Sequence, residues 1–168
     1  VFHTIKPIKK INDVNGMTIR APTRAIANAL KEIGATPIFM PVPQVPEALA
    51  RGVVDGAMIP WEVGYPLKVH ELIDSHTEII GPKGLYTAVF LLAMNKKSYE
   101  KIPNDLKKII DKNSGINIAK DVGKIWDEAE KIGINAAKLR GNSVYRMDKK
   151  ETEKLKKITR KVIYSWIS

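Results

Sequence analysis

Cysteine is absent from this sequence. That excludes a disulfide scaffold and thiolate chemistry but leaves the compartment open, because many secreted proteins also lack disulfides. Long apolar runs are absent too: none approaches the roughly 20 residues that a membrane-spanning helix needs. Aromatic residues make up only 7% of the chain, and 18 acidic residues face 28 basic ones. The net charge of +10 permits attraction to nucleic acid, anionic membrane surfaces or acidic small molecules, and selects none of them. What is present suffices for a core: 168 residues, 44% hydrophobic, the size of one domain. The opening VFHTIKPIKK has neither an initiator methionine nor the apolar stretch of a signal peptide. The chain is therefore expected to be processed or cut from something longer.

Residues 1–15 are Lys-rich, carry Pro7 and isolated isoleucines, and read as a connecting segment. Gly16 then turns the chain into a strand, Met17 to Arg20. Pro22 suits a helix start, and Ile26, Ala29, Leu30 and Ile33 at helical spacing mark a helix that Gly34 closes. TPIFMPV is a second strand, PQVPEALARG a short helix with prolines in its first turn, and VVDGAMI a third strand. Apolar strands alternating with helices argue for an α/β fold with an open, mostly parallel sheet covered on both faces. PWEVGYPLKVHELI reads as a turn and a short helix, followed by two strands, HTEII and the very apolar LYTAVFLLAM, the latter expected at the sheet centre. PNDLKKIIDKNSG is a helix. The next 26 residues are another helix, or the same one kinked near Gly115, with an apolar stripe of Ile118, Val122, Ile125, Trp126, Ala129 and Ile132. SVYRMD is a short strand before a final basic helix.

Catalytic signatures are missing. His70-Glu71 lacks the second histidine of a zinc motif, GPKGL lacks the ending of a phosphate loop, and neither G-x-G-x-x-G nor G-x-S-x-G is present. His3, His70 and His76 have no cysteine partners and read as ordinary surface or capping residues, so no metal site and no cofactor are expected. The last helix carries Lys149, Lys150, Lys154, Lys156, Lys157, Arg160 and Lys161, with Leu155, Ile158, Val162 and Ile163 down one side. That pattern describes an amphipathic helix with its lysines in water, and nucleic acid is not the expected partner.

Arg20 is the stronger lead. In an open parallel sheet, ligands collect beyond the carboxyl ends of the strands, beside helix N-termini whose free N–H groups favour anions. A guanidinium there can grip a carboxylate with two parallel hydrogen bonds. A surface arginine or a structural ion pair remains the plain alternative. Thr23 and Arg24 at the helix start would add donors. Val42, after the second strand, and Met58, Ile59, Trp61 and Glu62, after the third, would shape the pocket. For Trp61 the competing reading is a core residue sealing the loop, and for Glu62 a cap on the following turn.

KINDVNGMTIRAP, GATPIFMPVPQVPEALARGVVDGAMIPWEV and LAMNKKSYEKIPNDLKKII resemble the solute receptors of tripartite ATP-independent periplasmic (TRAP) transporters, the type often called dicarboxylate-binding. The likeness runs from about Pro7 to the end. It implies a two-lobed periplasmic binding protein that closes around an organic acid, with Arg20 in the place of the arginine that pairs with the ligand carboxylate. Val42 stands where sialic-acid receptors often place an aromatic, and Ile59 where they carry an asparagine; both departures argue for a smaller or more apolar acid. The resemblance further implies that this is the C-terminal portion of a receptor. Residues 1–16 would be the inter-lobe connection and 17–95 the ligand-binding lobe. Residues 96–140 would be a helical segment with the long spanning helix, and 141–168 a strand and helix packing toward the first lobe. Trp126 and Trp166 are then expected to be unusually exposed. The implied function is capture of a small carboxylate and its delivery to TRAP membrane permease subunits, without catalysis. A basic nucleic-acid-binding module, or an enzyme using Glu62 on an acid in the same cleft, are the alternatives.

Overall fold

The structure is a computed structural model that describes residues 1–81 and 84–167; Pro82 and Lys83 of the GPKGL stretch lie outside the described residues. Among the described residues, six strands form one sheet in the order β3-β2-β4-β1-β5-β6. They are β1 (Phe2–Thr4), β2 (Thr18–Ala21), β3 (Thr36–Phe39), β4 (Gly56–Met58), β5 (Ser75–Ile79) and β6 (Ser143–Met147). The pairs β2–β3, β2–β4 and β5–β6 are parallel, whereas β1 runs antiparallel to both β4 and β5.

The strand–helix alternation read from residues 17–59 is what forms. Helix α1 (Arg24–Glu32) starts at Thr23, whose extended backbone and hydroxyl cap the Ile26 amide. It ends at Ile33, and Gly34 takes a positive φ of 91° just beyond. A 3-10 turn (Val42–Gln44) leads into α2 (Val45–Ala50), with its prolines confined to the first turn. Two short helices follow β4, α3 (Trp61–Gly64) and α4 (Val69–Leu72).

Period-2 alternation splits the core in two. Ile19, Ala21 and Met58 join Phe2, Ile26, Leu30 and Leu155 on one face of the sheet. Ala57 and Ile59 join Met40, Val45, Leu49 and Val69 on the other. The intervening Arg20 therefore faces away from Ile19 and Ala21.

Two expectations fail here. The segment read as connection contributes β1 to the middle of the sheet, with Phe2 and His3 buried. LYTAVFLLAM, expected as a central strand, pairs with no strand among the described residues, and Val89 to Leu92 are largely exposed. The central place is occupied by β1, whose backbone satisfies the facing edges of β4 and β5.

Helices α5 (Lys96–Glu100) and α6 (Asn104–Lys112) precede α7 (Ile116–Leu139), which is separate from α6, with Gly115 at φ 78° between them. Close approach fixes α7 to α3: a Cβ on Gly133 would lie 2.5 Å from the Trp61 carbonyl oxygen. Only Gly133 and Ala137 of α7 are buried, so the stripe containing Ile125, Trp126 and Ile132 faces outward. Helix α8 (Lys149–Ile167) buries Thr152 and Leu155, and Lys161 pairs with Glu32 of α1. Its far end is bare, with Trp166 81% exposed.

Candidate functional site

Strand β2 carries Arg20 between two parallel neighbours, opposite Ile38 of β3 and Ala57 of β4. Its side chain is buried. Arg20 Nε donates to the Met40 carbonyl at 3.1 Å and Nη1 donates to the Met58 carbonyl at 3.1 Å. Both carbonyls sit at the carboxyl ends of the adjoining strands, so the two bonds pin the guanidinium plane where β3, β2 and β4 finish. No ion pair holds it among the described residues. Nη2 makes no hydrogen bond among them either, which leaves donors to spend on a ligand. Burial pushes the Arg20 pKa down and Tyr86 opposes that shift, yet a guanidinium remains charged at any physiological pH.

Arg20 lines a cavity of about 360 Å³ with Thr23, Ile26, Val42, Ile59, Val63, Tyr86 and Phe90 among its neighbours. Arg20 is the one charged residue among the described lining groups, and nearly all the rest are apolar. An adjoining cavity of about 470 Å³ shares Pro60, Tyr86, Thr87, Ala88 and Phe90 with it, and adds Met58, Glu62, Glu78, Trp126 and Glu130. Desolvation holds the Glu62 carboxyl above the usual carboxylate range, and the charge of Glu130 adds to the effect. Phe90 and Trp126 meet edge to face, with ring centroids 5.1 Å apart.

The residues singled out from sequence separate into three groups. Arg20, Thr23, Val42 and Ile59 line the smaller cavity together. Met58 and Glu62 line the larger one, and Met58 also supplies the carbonyl that holds Arg20. Trp61 and Arg24 line neither. Arg24 is exposed at the helix start. Trp61 is turned into the core, where its Nε1 donates to Glu78 Oε1 at 3.0 Å and its ring packs on His3 and His76. Its indole N–H finds that acceptor 17 residues further on, in β5, and the loop closes over it.

His3 and His76, expected at the surface, are buried instead and face each other with Nδ1 atoms 2.7 Å apart. Tyr86, Val63 and Phe90 escaped the sequence reading. Tyr86 and Phe90 lie in LYTAVFLLAM, whose apolar composition points to a buried strand and carries no separate signal for a cavity wall. Among the described residues no group of His, Cys, Asp and Glu is arranged to hold a metal ion, and no helix is long and apolar enough to cross a membrane.

A buried cation at the ends of parallel strands, facing an apolar hollow, suits an anion with an apolar body. Residues 1–168 match the family described as bacterial extracellular solute-binding protein, family 7. The chain belongs to that family. Its TRAP membership agrees with the solved relatives. A marine metagenome TRAP solute-binding protein specific for aromatic acid ligands, in complex with metahydroxyphenylacetate, is 40% identical, with a TM-score of 0.94 over 99% of this chain and 52% of its own. A TRAP solute-binding protein from Rhodoferax ferrireducens, in complex with copurified benzoate, is 41% identical, with the same TM-score and coverage. A solute-binding protein of Albidiferax ferrireducens is 27% identical over 134 residues, 79% of this chain and 36% of its own. The family-7 chain thus spans about half the length of these solved relatives. They are two-lobed binding proteins, receptors in transport rather than enzymes.

Proposed function

We propose that this family-7 chain is the ligand-gripping part of a periplasmic TRAP receptor for an aromatic monocarboxylate, which it hands to the membrane permease subunits without chemical change. In this reading the Arg20 guanidinium binds the carboxylate, and Val42, Ile59, Val63 and Phe90 enclose the ring. Thr23 borders the anion from the start of α1, its hydroxyl oxygen already engaged with the Ile26 amide. Residues 17–95 act as the binding lobe, while α7 and α8 offer their bare faces to a first lobe. Closure of two lobes is favoured by ligand because only the closed arrangement touches it from both sides.

One observation carries the proposal: a buried guanidinium, fixed by two carbonyls, is the sole charge among the described lining residues of an otherwise apolar cavity. A single cation matches a single carboxylate, and the walls match a ring better than a sugar or a short diacid. The aromatic acids bound by the relatives of 40–41% identity support the same choice.

A thermal-shift panel on the full-length receptor tests it. Benzoate and 3-hydroxybenzoate should raise the melting temperature in a concentration-dependent way, while succinate and glucuronate should not. A shift with succinate and none with benzoate would contradict the reading.

A further inference from the structure

Tyr86 borders both cavities, sharing the smaller with Arg20 and the larger with Glu62. Tyr86 is partly buried, and among the described residues the tyrosine hydroxyl that bonds a side chain is that of Tyr99, to Asp111, not that of Tyr86. A phenol that lines a cavity and has no protein acceptor there keeps its O–H free to donate to an acceptor entering that cavity. The nearby guanidinium decides which acceptor that is, because a positive charge in an apolar hollow favours an anionic oxygen. We propose that the Tyr86 hydroxyl donates to the same ligand carboxylate that Arg20 grips, so that the two side chains form one anion clamp. This inference rests on the carboxylate reading of the cavity and adds a specificity-determining residue to it.

The protonation state suits the role. Burial pushes the Tyr86 phenol up from its ordinary value, the Arg20 charge works against that, and Glu62 reinforces it. The phenol is therefore a donor at neutral pH. Thr23 Oγ1 accepts from the Ile26 amide and keeps its own O–H, so what sets Tyr86 apart is its place on the wall shared by both cavities. With Nε and one Nη1 hydrogen committed to Met40 and Met58, Arg20 keeps three N–H donors, and a two-bond grip from them fills only about half of a carboxylate's roughly four acceptor positions. A second side chain thus completes the coordination of a carboxylate that the arginine only half encloses.

The test is calorimetry with benzoate on the full-length receptor, comparing the parent with Tyr86→Phe and Tyr86→Ala. Tyr86→Phe keeps the wall and removes only the hydroxyl. It should weaken benzoate binding on the order of tenfold with an unchanged melting temperature. Benzoate should also perturb the near-ultraviolet tyrosine band of the parent more than that of Tyr86→Phe. If Tyr86→Phe binds like the parent while Tyr86→Ala is weak, the ring is only a wall and the clamp is overturned, with the carboxylate reading intact. If the parent binds neither benzoate nor 3-hydroxybenzoate, both the clamp and the reading beneath it fall.

Discussion

His3 and His76 form a buried imidazole pair, Nδ1 to Nδ1 at 2.7 Å, at the junction of β1 and β5. One arrangement of protons satisfies the chain of contacts around it. His3 Nε2–H donates to the Ile59 carbonyl at 3.1 Å, His76 Nδ1–H donates to His3 Nδ1, and His76 Nε2 accepts from Asn142 Nδ2 at 3.0 Å, whose two hydrogens it shares with the His70 and Ile73 carbonyls. Both rings are neutral in that arrangement. An added proton would set N–H against N–H. The pair also ties β1 to the backbone of a residue that lines the Arg20 cavity.

The pH dependence of stability follows. Desolvation lowers the His3 pKa well below its ordinary value and brings His76 down to about 4. The folded values are depressed, so the unfolded chain takes up protons first as pH falls. The pair's contribution is complete above the unfolded value of about 6.5 and is lost as pH drops toward 4. Protonating the pair should cost on the order of a few kcal/mol across that window. Urea titrations of the full-length receptor at pH 7, 6, 5 and 4 should show a falling midpoint, with a shallower fall in His76→Gln. Equal slopes in parent and variant would show that the pair does not titrate as described.

Gly133 offers a packing prediction. Alanine normally stabilises a helix interior relative to glycine by about 1 kcal/mol. Here its Cβ would press on the Trp61 carbonyl, a backbone atom that cannot swing aside. Gly133→Ala should therefore destabilise, by about 1–3 kcal/mol, through separation of α7 from α3. Chemical denaturation reads this directly, and a gain in stability would mean that the two helices stand further apart.

Thr23 has a smaller, separable effect. Thr23→Ala removes the cap on the Ile26 amide and should cost about 1 kcal/mol of stability, whereas Thr23→Ser should retain most of it. Denaturation midpoints of the two variants should differ in that order. Identical losses would indicate that the methyl group, rather than the hydroxyl, matters at the helix start.

The regularities that could be read in advance were local. The strand Thr18–Ala21, the helix after Pro22 and the apolar run ending at Met58 each carry their signal within about ten residues, so the parallel part of the fold was visible. The place of Arg20 at the ends of those strands followed from it. What stayed hidden depended on partners far along the chain. Strand β1 has only three residues, too few for alternation to register, and its stability comes from pairing with β4 and β5 more than 50 residues away. Trp61 was placed at the pocket because it follows a strand; its acceptor in β5 turns it inward instead. The run from Leu85 to Met94 has the composition of a core strand, but composition does not supply a neighbouring backbone to pair with. Tyr86 was overlooked for that reason.

The central claim is that the Arg20 guanidinium fixes a carboxylate, and calorimetry with benzoate on the full-length receptor tests it most directly. Circular dichroism should accompany the titration, because Arg20 also donates to Met40 and Met58. A folded Arg20→Ala variant should lose about 2–5 kcal/mol of binding free energy, and Arg20→Lys should fall between it and the parent. Undiminished benzoate affinity in folded Arg20→Ala would contradict the account.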